Sequence, residues 1–436
     1  MSKPLDVNFK ALADENDELR PFVKDGKIDF WDMNALQALT RAILSSHFHL
    51  DLHLGSDCLC PMVVNRHMYI TFINELLCST CEHAPETVFG LDIGTGATCI
   101  YPLLGCATYT NWIFYATDID ETSLVRAAFN IRRNGFEDRI WLLERRSPED
   151  ALLPFKTIEA NGCNLSFTMC NPPFYATIEE AKNTTQKLTS PYAVCTGAPN
   201  EMVTKGGETE FVLRILRESL QQDERRRQEH KSHLTWYTCM LGKLSTVERI
   251  VVELRASSVN NYALHELIPG QTKRWIIAWS FCDQRPPPEL ARPVSRSLHK
   301  LLPWNTKLRF LFPLSKETNL VKERLALLLD EWKVSVQWEE DVCHTDSLLF
   351  NAVINAANDT WSRKARRKRM KESASVCNFV NSPPVSVLRV CVQLELELGY
   401  REHRSFLTFR WKAGKDPMLF ESFANTVYRK LTTATA

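Results

Sequence analysis

From residue 88 to about residue 281, short apolar runs alternate with longer amphipathic stretches. The segments "TVFGLDIG", "WIFYATDI", "RIWLLE", "LSFTMC" and "LTWYTCML" are rich in aromatic and branched residues and read as strands. Between them, "CIYPLLGCA", "ETSLVRAAFNIRRNG", "ETEFVLRILRESL" and "TVERIVVELRAS" place apolar residues at helical spacing, the second ending at Gly135. Regular β-α alternation predicts an α/β fold with a doubly wound, mostly parallel sheet covered by helices on both faces. Two last strands, "YALHELI" and "WIIAWSF", have no full helix between them and predict an antiparallel edge.

Both ends of the chain have a different texture. The N-terminal stretch 1–65 mixes polar loops with one helix, "MNALQALTRAILSS", for which Asp32 is a suitable N-cap. After residue 283, "DQRPPPELARPVSRS" carries four prolines without periodicity and reads as a semi-rigid linker, 284–298. Beyond it the pattern gives strand "LRFLFPL", helix "ETNLVKERLALLLDEW" and strand "VSVQWEE". Strands "VSVLRVCVQLELELG" and "RSFLTFRW" and the helix "PMLFESFANTVYRKL" follow. The expected organisation is an N-terminal extension (1–65), a main domain (66–283), the linker, and a small α+β domain (299–436) interrupted by a basic insertion, 362–371.

Composition narrows the function classes. With 53 basic and 52 acidic residues the net charge is +1, so a nucleic-acid partner has to be held by local patches. No apolar run is long enough to span a bilayer and the first residues carry no signal pattern, so a nuclear or cytoplasmic protein without a membrane partner is expected. Among 14 cysteines, Cys58, Cys60, Cys78 and Cys81 with His83 have spacing that suits zinc. Cys78 and Cys81, however, end the apolar helix "YITFINELLCSTC", where cysteine commonly acts as a small buried hydrophobe. Reduced thiols and no metal are expected.

The candidate chemistry sits at the strand ends. In "LDIGTGATC", Asp92, Gly94 and Gly96 stand where the first strand gives way to a helix, and glycines there let backbone approach a ligand. The motif lacks both the third glycine of a dinucleotide fingerprint and the Lys-Ser/Thr of a phosphate loop. The second strand ends "YATDID"; Asp118 is assigned to the two ribose hydroxyls of a nucleoside and Asp120 to capping the next helix. Two carboxylates here suit a cationic sulfonium better than a polyphosphate, which favours S-adenosylmethionine over NAD or ATP. The fourth strand stops at Asn171, Pro172, Pro173 and Phe174. An amine conjugated to a base is a poor nucleophile, because its lone pair is delocalised. An Asn carbonyl and a backbone carbonyl of the Pro-Pro unit can accept its hydrogens and aim that lone pair at a methyl group. Phe174 offers a ring for the extruded base, worth about 1–3 kcal/mol.

"DIGTGATCIYPLLG", "MCNPPFYA", "TGAPNEMVTKGGETEFVLRIL", "WYTCMLGK" and "RWIIAWSF" closely resemble the RNA N6-adenosine methyltransferases that modify U6 spliceosomal RNA, over residues 20–283. Bacterial members modify an adenine of large-subunit ribosomal RNA. The resemblance implies a seven-stranded class I (Rossmann-like) methyltransferase sheet, S-adenosylmethionine as donor and a structured RNA, U6 first, as substrate of a monomeric enzyme. Motif by motif it makes Arg66 and Gly94 cofactor contacts and Asn171 the catalytic amide, and "ERRSPED" is similar to the loop near the cofactor's adenine. RNA contacts are expected at Lys205, Lys273 and Arg274 of the main domain, and at Arg363, Arg366, Arg367, Lys368 and Arg369 of the basic insertion, whose domain resembles the accessory RNA-binding region of animal relatives; a nuclear-import signal is the competing reading of that basic run. Residues 175–207, without apolar periodicity, are expected to lie over the acceptor pocket. Two alternatives stay open: methylation of a protein glutamine side chain, and an RNA-binding regulator acting through occupancy.

Overall fold

A computed structural model describes residues 5–55, 59–81, 85–181, 199–230, 235–268, 273–313, 318–339, 348–362, 365, 367, 388–398 and 403–433. The chain divides into two compact units: residues 1–282 with 292–303, and residues 283–291 with 304–436.

Seven strands build the main sheet of the first unit: β1 (Val88–Ile93), β2 (Trp112–Asp118), β3 (Ile140–Glu144), β4 (Phe167–Cys170), β5 (Trp236–Leu241), β6 (Tyr262–Leu267) and β7 (Arg274–Trp279). Their order is β3-β2-β1-β4-β5-β7-β6, parallel except where β7 meets β5 and β6. This is the doubly wound sheet with an antiparallel edge that the alternation predicts. The order reverses between β1 and β4, so the carboxyl ends of those neighbours flank the switch point where ligands bind in such sheets. β1, β2, β4 and β5 are buried almost throughout, as strands covered on both faces must be.

The helices explain that burial. α1 (Met33–Phe48) is capped by Asp32, whose side chain accepts from the N–H groups of Asn34 and Ala35. α2 (Val63–Thr80) buries Arg66, Tyr69, Ile70, Ile73, Leu76 and Leu77 along one face. Its Thr80 hydroxyl accepts from Trp236 Nε1 at 3.0 Å, tying the helix to β5. α3 (Ile100–Thr108) follows β1, and α4 (Glu121–Arg133) follows β2 under an Asp120 cap. The short α5 (Phe155–Ala160), α6 (Gly207–Gln228) and α7 (Leu244–Ala256) complete the cover.

The second unit is a five-stranded antiparallel sheet: β8 (Lys307–Phe312), β9 (Ser335–Glu339), β10 (Leu348–Ala356), β11 (Leu388–Leu398) and β12 (His403–Gly414), in the order β8-β12-β11-β10-β9. α8 (Thr318–Glu331) and α9 (Pro417–Thr433) bury Leu325, Leu329, Phe420 and Phe423 in its core. β10, "LLFNAVINA", is a strand that the hydrophobic pattern does not predict. It sits between two strands and is buried at five of nine positions, so its apolar run does not alternate cleanly.

The proline-rich stretch read as a linker is shared between the units. Gln284 bridges to Ala413, and the Arg285 guanidinium donates to the Gly414 carbonyl at 2.7 and 2.9 Å while lying 4.3 Å from the Trp411 ring centre. Residues 292–303 instead belong to the first unit: Leu298 enters its core and the Tyr262 hydroxyl donates to the Leu301 carbonyl at 2.8 Å. Prolines stiffen this segment, but burial and hydrogen bonds hold it. No helix among the described residues is long and apolar enough to cross a membrane.

Candidate active site

Gly94 and Gly96 have φ of +73° and +65°, in the left-handed region that favours glycine. The N–H groups of Gly94 and Thr95 both donate to the Thr117 carbonyl at 2.9 Å, drawing the turn over the end of β2. A Cβ placed on Gly94 would meet nothing within 4 Å, so open space faces the backbone there. Asp118 is turned into this site: its Oδ2 accepts from Gly96 N–H at 2.8 Å and its Oδ1 from Ile119 and Asp120 N–H at 2.8 and 3.0 Å. Asp120 Oδ2 accepts from Ser123 N–H at 2.9 Å, so the two acids divide as the sequence suggests, one at the glycine turn and one on the helix.

Asp92, on β1, is fully buried and neither carboxylate oxygen has a hydrogen-bond partner. Burial pushes its carboxyl up to about 7; the Thr95 hydroxyl opposes this, Asp118 adds to it, and Arg66 opposes it. Arg66 is itself buried on α2, with an unpartnered Nε and its guanidinium 5.3 Å from the Tyr101 ring centre. Tyr101, on α3, buries its hydroxyl with Arg66 as its polar neighbour. A buried acid and a buried base whose hydrogen-bonding atoms are incompletely used, beside an open glycine turn, fit the ammonium and carboxylate of an amino-acid-bearing ligand. Unsatisfied buried groups of this kind are costly unless a ligand completes them.

Asn171 follows β4 directly. The strand is fixed there by Tyr69, whose hydroxyl lies 2.7 Å from Thr238 Oγ1 and 3.5 Å from the Cys170 carbonyl. Asn171 Oδ1 is buried and has no partner, an acceptor held ready. Pro172 is buried and Phe174 half-buried. Arg274 lies with its guanidinium 5.7 Å from the Phe174 ring centre, at the rim of the same site. Behind Phe174 the chain is clamped: Tyr175 N–H donates to the Met202 carbonyl and Thr204 N–H to the Tyr175 carbonyl, each at 3.0 Å. The segment 175–207 therefore leaves the site and returns to it. Its middle, 182–198, where the expected cover over the pocket falls, is outside the described residues.

Lys205 and Lys273 are exposed, as is Arg367; Arg363, Arg366, Lys368 and Arg369 lie outside the described residues. The loop "ERRSPED" closes on itself, Asp150 Oδ2 accepting from Arg146 and Ser147 N–H at 2.9 and 3.0 Å. Cys60, Cys78 and Cys81 are free thiols, and Cys78 is exposed instead of buried because it faces away from the buried stripe of α2. Cys58 and His83 lie outside the described residues, and among those described no cluster suits a metal ion. Glu208 is the site residue that sequence reasoning misses. In "GGETE" it looks like an ordinary first-turn acid, yet it is 1% exposed and reaches the turn beside Phe174. Burial raises its carboxyl, against the Gly242 N–H, the Thr246 hydroxyl and the Lys243 N–H.

Residues 3–283 match the model of a family of RNA methyltransferases. The chain belongs to that family. Over 412 residues it is 38% identical to the U6 small nuclear RNA (adenine-(43)-N(6))-methyltransferase of Schizosaccharomyces pombe, covering 94% of this chain and 96% of that protein. It is 36% identical to the human RNA N(6)-adenosine-methyltransferase METTL16 over 64% of this chain, but spans only 49% of the human protein's length. The catalytic domain of human METTL16, solved in complex with MAT2A 3′UTR hairpin 6, superposes with a TM-score of 0.54 at 34% identity, covering 64% of this chain and 94% of that one. A family member of this kind uses S-adenosylmethionine as methyl donor, and the unpaired Arg66 and Asp92 fit its amino-acid end.

Proposed function

We propose that this chain methylates N6 of one adenosine in a structured RNA, and that the RNA is U6 small nuclear RNA in the nucleus. Asn171 carries the reading: a buried carbonyl oxygen without a partner, at the carboxyl end of β4, next to the cofactor turn and followed by an aromatic ring. The whole-length similarity to the S. pombe U6 enzyme supports the choice of RNA.

S-adenosylmethionine supplies an electrophilic methyl group on a cationic sulfur. Arg66 holds the carboxylate of the donor, Asp92 its ammonium and Asp118 its ribose hydroxyls, while Gly94 and Gly96 let the backbone approach. Asn171 Oδ1 and the Pro172 carbonyl accept the two N–H bonds of the adenine amine. This orients its lone pair toward the methyl group and stabilises the positive charge that develops on nitrogen. Phe174 stacks on the extruded base. No side-chain base is required, because the methylated nitrogen is a strong acid and releases its proton to water. Burial in a site with few competing dipoles makes each of these contacts stronger than it would be in water.

Lys205, Lys273 and Arg274 then meet RNA phosphates near the site, and the basic insertion with Arg363, Arg366, Arg367, Lys368 and Arg369 meets others from the second unit. Changing Arg366, Arg367, Lys368 and Arg369 to Ala should weaken RNA binding and lower the slope of log affinity against log salt by roughly 0.7–0.9 for each phosphate left unneutralised. Curves that superimpose on the parent's would remove that role. The enzyme reading is tested by incubating the purified protein with isotopically labelled donor and a U6 transcript. Mass mapping should find N6-methyladenosine at one position. Label on protein glutamine, or on no RNA, would contradict it.

A further inference from the structure

The turn between β5 and α7 carries two N–H groups that need acceptors, and the turn itself provides none. Lys243 occupies the N-cap of α7 and offers no side-chain oxygen to the helix. The acceptors come from α6: Glu208 Oε1 takes the Gly242 N–H at 2.5 Å and Oε2 takes the Lys243 N–H at 3.3 Å. A carboxylate at the start of α7 is also favoured by the helix dipole. Here each donor engages its own oxygen of the one carboxylate, an arrangement that an amide, with a single oxygen, cannot copy.

The same turn is pressed against the acceptor clamp. A Cβ added to Gly242 would stand 3.0 and 3.2 Å from Phe174 Cδ1 and Cε1, and 3.3 Å from Glu208 Oε1. Lys243 Nζ donates to Glu180 Oε1 at 2.7 Å and lies 5.6 Å from the Tyr175 ring centre. On the other side, the start of α6 touches the clamp's exit directly, since a Cβ on Gly207 would be 3.3 Å from Ala176 N. Glu208 therefore sits where α6, the β5–α7 turn and the residues after Pro173 converge.

We propose that Glu208 is a positioning residue for methyl transfer: by holding the Gly242–Lys243 turn against Phe174, it fixes the ring on which the target base is received. This rests on the reading of Phe174 as the adenine platform. Glu208→Gln keeps the volume but sets an NH2 against a backbone N–H, so the turn loses one tether and the ring gains freedom. A misplacement of the base by about 1 Å can cost on the order of a hundredfold in rate.

The test uses the full chain and a U6 hairpin transcript with 2-aminopurine at the target adenine, whose fluorescence falls when the base stacks. Glu208→Gln should melt cooperatively and bind S-adenosylmethionine within twofold of the parent, yet quench the probe less and lower kcat at least tenfold. Gly242→Ala, whose methyl crowds the ring and the Glu208 carboxylate together, should reproduce the pattern and serves if Glu208→Gln fails to fold. In a Phe174→Ala background neither change should weaken RNA affinity further, because the element they position is gone. Unchanged quenching and turnover in both variants, or losses that add in full on Phe174→Ala, would overturn the proposal. If the parent itself neither quenches the probe nor methylates the unmodified transcript, the reading of Phe174 fails, and the proposal falls with it.

Discussion

Asp92 and Glu208 are two acids buried in the same unit, and burial shifts the carboxyl of each upward. They differ in what surrounds them. Glu208 spends its oxygens on backbone N–H groups of the β5–α7 turn, whereas no hydrogen bond of good geometry reaches either oxygen of Asp92 and only the Thr95 hydroxyl and Arg66 favour its charge. Arg66 and Asn171, nearby, are also short of partners. The contrast separates two uses of a buried charge: a satisfied acid organises the protein, and an unsatisfied one marks where a ligand completes the structure.

The largest expected effect breaks the unsatisfied side. Asn171→Ala should lower single-turnover methyl transfer by on the order of a hundredfold or more while leaving donor affinity nearly unchanged, because Asn171 acts on the acceptor amine. Near-normal turnover would show that the orphaned oxygen is not the acceptor of the adenine hydrogens.

Asp92 gives a second effect, on stability. Its folded value of about 7 lies above the ordinary 3.8, so the fold disfavours its charged form. The donor-free protein should therefore lose stability as pH rises from about 4 to about 7, by an amount on the order of 4 kcal/mol, and lose no more above that. Asp92→Asn has no charge to bury and should flatten this part of the stability curve. Thermal melts across the range check it, and identical curves for parent and variant would refute the cause given for the raised value.

A smaller effect separates the two acids after β2. Asp118→Ala should weaken S-adenosylmethionine by about 1–3 kcal/mol, since ribose hydroxyls lose their acceptor. Asp120→Ala should instead cost about 1 kcal/mol of stability by removing the cap of α4, and leave donor affinity alone. A larger affinity loss at Asp120 would exchange the two assignments.

These residues also show where the sequence is readable. The sheet follows from period and alternation, because each β-strand and helix of the first unit has to bury its own apolar side locally. Asp118 and Asp120 sort themselves by distance from the helix start. NPPF stands out because prolines cannot continue a strand. Glu208 is hidden, since its partners at 242 and 243 are brought to it only by the fold. β10 is hidden for a similar reason: its mixed apolar run acquires meaning between two neighbours that the local pattern does not reveal. The stretch 284–298 reads as a semi-rigid linker because Arg285 finds Gly414 and Trp411 only across the folded second unit.

The contrast between the acids is tested most directly by titrating S-adenosylmethionine into the parent, Asp92→Asn and Glu208→Gln proteins by calorimetry. Asp92→Asn should lose at least tenfold in affinity, and Glu208→Gln should stay within twofold of the parent. The reverse pattern, or parent-like affinity in Asp92→Asn, would contradict it.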